Sequence, residues 1–133
     1  MHRRLMLAAM LAAPLPSFPL PALAQSGHAH ARGPHGGQVE EIAGTHVELV
    51  ARDGELRLYV LDAQDKPASA RGASGTAIVQ AAGKQQTLRF EPGPGDGYLV
   101  ARGDFPAAKG MRVVASVALP GQPSRQARFA PVE

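Results

Sequence analysis

Between Ser26 and Val50 the chain reads SGHAHARGPHGGQVEEIAGTHVELV, and this stretch holds His28, His30, His35 and His46. After Val50 there is no histidine, and the fifth, His2, lies near the N-terminus. Glu40, Glu41 and Glu48 are interleaved with them. Imidazole is the commonest protein ligand for divalent transition metals, and carboxylates complete many such sites. The chemistry these residues could do together is the binding of a divalent transition-metal ion.

The elements around them must bring them together. THVELVAR (residues 45–52) alternates strictly, with Val47, Leu49 and Ala51 on one face and His46, Glu48, Val50 and Arg52 on the other. His46 and Glu48, two apart on a strand, then project from one face roughly 6–7 Å from each other. That face is expected to be the outward one, because Val47 and Leu49 claim the inward side. Ala43-Gly44 can close a two-residue hairpin to GQVEEI, which sets Glu41 opposite His46 and Val39 opposite Glu48. His35-Gly36-Gly37 then falls at the sheet end, where the glycines allow a sharp turn and close backbone approach. His35, Glu41, His46 and Glu48 are the primary candidate ligands, and His28 and His30 secondary ones. A register slip of one residue would separate Glu41 from His46. Each part also has a plainer reading: His-Gly-Gly as a turn, His46 as an exposed strand residue hydrogen-bonded to Glu41, and HAH as a linker.

Other chemistries are poorly supplied. The chain has no cysteine, so thiolate metal sites, disulfides and cysteine nucleophiles are excluded. Met111 is the sole methionine beyond residue 10, too few for a methionine-rich soft-metal site. Asp62 and Asp65 in LDAQDKP do not have calcium-loop spacing and fit turn chemistry. No phosphate-cradling glycine loop, G-x-S-x-G elbow or H-E-x-x-H occurs, and no serine is marked as activated. A non-enzymatic protein is expected.

The N-terminus points to export. Arg3 and Arg4 precede the apolar run LMLAAMLAA (residues 5–13), and ALA at residues 22–24 offers small residues for cleavage after Ala24. The run is too short and too interrupted by proline for a membrane span. This reads as a signal peptide over 1–24, a histidine-containing flexible lead-in over 25–33 and one domain over 34–133, in a periplasmic protein. Loss of Arg3 and Arg4 leaves twelve basic residues against eleven acidic ones. With charges interspersed, nucleic-acid binding has no support, and no membrane span is expected in the mature chain.

Beyond residue 37 the pattern is of short alternating runs separated by glycine and proline. Candidate strands are residues 45–52, 55–61, 75–82, 85–91, 98–103, 111–119 and 124–130, with hairpin turns at Asp53-Gly54 and Gly83-Lys84. Met111, Val113, Ala115, Val117 and Leu119 share one side, as do Ala127 and Phe129. No helical period runs over ten or more residues. The expected fold is all-β: a small antiparallel immunoglobulin-like β-sandwich of about seven or eight strands, with a small closed barrel as the alternative.

PHGGQVEEIAGTHVELV followed by DGELRLYVLDAQDKP resembles the small β-sandwich module near the N-terminus of periplasmic adaptor (membrane-fusion) subunits of heavy-metal efflux pumps, and free-standing exported proteins with the same pattern. The resemblance covers residues 34–67. It rests on His35-Gly36-Gly37, Glu41, Val47-Glu48-Leu49 and Asp62 to Pro67. It implies handling of copper, zinc, cobalt, nickel or related ions, with an efflux-pump component as partner. The helical hairpin and lipoyl-like domains of the adaptors are missing from this sequence, which implies an accessory role. The competing expectation is a non-catalytic interaction module that docks on an envelope or efflux protein and binds no metal.

Overall fold

The computed structural model describes residues 31–133. The expected signal peptide, and His28 and His30, lie outside the described residues. The strands are β1 (Gln38–Ile42), β2 (Thr45–Arg52), β3 (Glu55–Leu61), β4 (Pro67–Ala68), β5 (Ser74–Ala81), β6 (Lys84–Pro92), β7 (Leu99–Arg102), β8 (Arg112–Ala118) and β9 (Arg125–Phe129), with one 3-10 turn at Pro94–Asp96. The protein is all-β and antiparallel, as its alternating runs dictate. β2 and β3 occupy the same residues that alternation assigns them. The two-residue β4 falls inside the stretch that reads as loop, where Leu61 and Val60 pair with Pro67 and Ala68.

The strands follow the path β1-β2-β3-β7-β6-β5-β8-β9, with β4 beside β3. β6 joins the two layers: residues 84–90 pair with β5, and Glu91 and Pro92 pair with Val100 and Leu99 of β7. The path curls until its ends nearly meet, giving a shape close to a barrel. The seam is bridged by a side chain: Gln38, on β1 and only 4% exposed, accepts the Ala130 N–H just past β9 at 2.7 Å. A side-chain amide thus supplies a bond that a closed ladder would draw from backbone, and the two sheet edges are protected.

The turns follow local chemistry. Ala43 and Gly44 have φ of 50° and 80°, and Ala82 and Gly83 of 51° and 73°. A two-residue hairpin of this kind needs positive φ at both central positions. The turn expected at Gly83-Lys84 therefore sits one residue earlier, with Ala81 paired to Lys84 and glycine in the second place.

The core is aliphatic. Val47, Leu49, Leu56, Leu58, Ala77, Val79, Val113, Ala115 and Val117 are at most 1% exposed, and Met111, Leu119, Ala127 and Phe129 join them. Each Leu or Val contributes about 1.5–3 kcal/mol relative to an exposed position. This core fixes the inward face of β2, and therefore where His46 and Glu48 point. The last part of the expected lead-in is also tied down. Val39 donates its N–H to Ala31 at 2.9 Å, and Arg32 forms an isolated bridge with Gln38.

Candidate functional site

The β1–β2 hairpin has the register that its turn requires: Val39 faces Glu48, and Glu41 faces His46. Glu41 and His46 therefore share one side of the sheet, with Cβ atoms roughly 4.5–5.5 Å apart, as for any directly opposed pair.

Glu48 departs from expectation. It lies on the His46 face of β2, but that face is covered at this point, and Glu48 is completely buried. The 33–37 turn folds over it. Its carboxylate accepts the His35 N–H at 3.0 Å, the Gly37 N–H at 2.8 Å and the His35 Nδ1 at 2.7 Å. A buried carboxylate without such donors would be strongly disfavoured. The fit is close enough to specify glycine: a Cβ on Gly33 would stand 2.3 Å from the Glu48 Cδ, and one on Gly37 2.4 Å from the Leu49 carbonyl oxygen. The expected outward facing of Glu48 is thus corrected. Alternation gave its side of the sheet, but not the chain segment that lies on top. The residues of GPHGG form the cover, and Glu48 is the anchor that holds it.

His35 is oriented on two sides. Its Nδ1 faces Glu48, and its ring stacks on Tyr59 with centroids 3.7 Å apart and planes 11° from parallel. Tyr59 stands directly opposite Glu48 on β3. The Nδ1 edge of the ring is therefore taken up by Glu48. Nε2, on a side chain 32% exposed, makes no hydrogen bond among the described residues.

His46 is held in a similar way by a residue that turn chemistry alone had explained. Its Nδ1 lies 2.5 Å from the Oδ1 of Asp65. Both side chains are exposed, at 45% and 58%. Asp65 has a φ of 58°, at the tip of the turn that Asp62 organises by accepting the Gln64 and Lys66 N–H groups. The hydrogen bond to Asp65, followed by the charges of Asp65 and Glu41, raises the pKa of His46 above its ordinary 6.5. His46, Glu41 and Asp65 line an open recess of about 410 Å³, to whose lining residues 31–34 also contribute. Among these, Arg32 donates to the Gly36 carbonyl at 3.0 Å.

The four primary candidates are therefore divided. Glu41 and His46 stand together beside Asp65, whereas His35 and Glu48 form a separate pair. Among the described residues, no group of three or more His, Asp or Glu side chains is already gathered as a metal cage. Asp65 and Tyr59 are the residues that sequence reasoning missed. Asp65 was within reach: one step beyond the Val47–Val60 pairing puts Leu61 beside His46, and the 62–66 turn starts there. The chain matches no protein family, no curated protein and no solved structure.

Proposed function

We propose that this is an exported metal-binding protein that serves as an accessory in heavy-metal handling, and that its site is centred on His46. The observation that carries this reading is the His46–Asp65 contact with Glu41 across the hairpin. A metal-binding histidine typically gives one ring N–H to a carboxylate, which fixes the ring and leaves the other nitrogen as donor. Asp65 occupies Nδ1, so Nε2 is the donor nitrogen once His46 is neutral. Glu41 supplies an oxygen on the same side of the sheet, and the open recess leaves room for water or further ligands. The chemistry suits a borderline divalent ion such as Zn(II), Cu(II), Ni(II) or Co(II). Glu48 has a different part: it orients His35 and is not a ligand.

Export to the periplasm rests on the Arg3-Arg4 and apolar N-terminal pattern with the small residues before Gln25. The link to heavy-metal efflux, with a pump component as partner, rests on the resemblance carried by residues 34–67. Calorimetric titration of the purified protein with each of the four ions tests the reading. Binding that is lost in His46→Ala and weakened in Glu41→Gln supports it, and the absence of binding to all four ions refutes it.

A further inference from the structure

The layer away from His46 has an unusual distribution of charge. Strand register sets three rows across its outward surface. Thr87, Ile78, Val114 and Arg128 form the central row. Arg89, Thr76, Ser116 and Gln126 form the row on one side, and Gln85, Gln80 and Arg112 the row on the other. The inward partners, among them Ala77, Val79, Val113, Ala115 and Phe129, are buried, so these rows face out. No aspartate or glutamate occurs in them. The first acid along β6 is Glu91, where the strand has passed over to pair with β7.

Three arginines elsewhere are paired with acids. Arg57 and Arg102 reach Glu55, and Arg71 lies 3.8 Å from Asp96. Arg89, Arg112 and Arg128 are exposed and form no ion pair among the described residues; Arg112 donates only to the Met111 carbonyl. At their centre is Ile78, 37% exposed and the one large hydrophobic residue exposed among those described. Ile78, Val114, Arg112 and Arg128 contribute to a shallow recess of about 430 Å³ that extends to Gln38 and Ala130 at the barrel seam.

We infer that this four-stranded face is a docking surface for an acidic polypeptide segment, whose carboxylates meet Arg89, Arg112 and Arg128 and whose apolar side chain covers Ile78 and Val114. Guanidinium groups pair with carboxylates through two parallel hydrogen bonds, which favours fixed anions over a diffuse charged surface. On an extended segment, side chains at alternate positions recur every ~6.8 Å, a spacing that suits Arg112 and Arg128, one row apart on adjacent strands, while Arg89, on β6 in the row beyond Ile78, meets an acid farther along the segment. An anionic membrane is the poorer complement: three basic residues fall short of the roughly four to eight that hold proteins on such membranes. A recess with a single exposed isoleucine is also a poor wedge for insertion. The inference is independent of the His46 site, because it uses none of its residues.

The test uses the purified protein and a fluorescent peptide of alternating Glu and Leu, followed by anisotropy at low and high salt. Phosphatidylglycerol–phosphatidylcholine vesicles serve as the second probe. Peptide binding is expected at low salt, weakening as salt rises. Arg89→Ser, Arg112→Ser and Arg128→Ser should each weaken it about two- to five-fold, the range of an exposed ion pair. The triple variant and Ile78→Ser should bind poorly with an unchanged circular dichroism spectrum. A charge-matched control, Arg52→Ser/Arg71→Ser/Lys109→Ser, should bind as the wild type does. Equal loss in the face triple and the control triple would overturn the proposal in favour of net charge alone. Vesicle binding without peptide binding would overturn it in favour of a membrane surface, and no peptide binding at low salt would overturn it outright.

Discussion

Glu48 and His35 are joined twice: the Glu48 carboxylate accepts both the backbone N–H of His35, at 3.0 Å, and its ring Nδ1, at 2.7 Å. This pair holds the 33–37 turn over the β1–β2 hairpin and separates the scaffold from the exposed His46 face.

Glu48→Ala should be strongly destabilising. It removes the carboxylate that accepts the Gly37 N–H and leaves a void in a closed site. One stranded buried donor costs about 1–3 kcal/mol, and Glu48 serves more than one. Urea denaturation measures the loss, and hydrogen exchange at the Gly37 amide should quicken. Gly33→Ala is expected to destabilise for the complementary reason, its Cβ meeting the same carboxylate.

On β2 the two faces should respond in opposite ways. Leu49→Ala empties a fully buried core position and should cost about 2–5 kcal/mol. His46→Ala alters an exposed side chain and should change stability by no more than about 0.5 kcal/mol. Thermal unfolding of the two metal-free variants makes the comparison.

The His46–Asp65 pair has a defined pH signature. The folded-state pKa of His46 is raised above 6.5. Its contribution is therefore complete below the unfolded value of about 6.5 and is lost as pH rises through the higher folded value. An NMR titration should place the His46 midpoint above 6.5 in the wild type, and Asp65→Asn should move it downward. Protons compete with a metal for Nε2, so affinity should begin to fall on acidification at a pH above 6.5.

The barrel seam is a separate point of weakness. Gln38→Leu keeps the bulk but removes the acceptor for the Ala130 N–H. It should cost about 1–3 kcal/mol if that N–H is then left without a partner. Faster exchange at Ala130 than at Ala115 in the central β8 would locate the change at the seam.

Much of the fold is legible in the sequence because it depends on local rules. Alternation gives β2 and β3 their limits, and the Ala43-Gly44 turn gives the Glu41–His46 and Val39–Glu48 registers. The inward row from Met111 to Leu119 is likewise readable. What alternation does not reveal is what lies above a strand face. Glu48 and His46 have the same parity, yet one is sealed beneath GPHGG and the other is open to solvent. The Asp65 partnership depends on where the turn after β3 comes to rest, which involves a contact across nineteen residues.

The most direct measurement is calorimetric titration of Zn(II), Cu(II), Ni(II) and Co(II) into wild type, His46→Ala, Asp65→Asn and His35→Ala. The site proposed here predicts that at least one ion binds the wild type, that His46→Ala abolishes or greatly weakens this binding, and that Asp65→Asn weakens it through loss of ring orientation, by about 10–100-fold. His35→Ala should retain most of it. Binding that survives His46→Ala unchanged, or the absence of binding to all four ions, would contradict the assignment of His46 as the metal ligand.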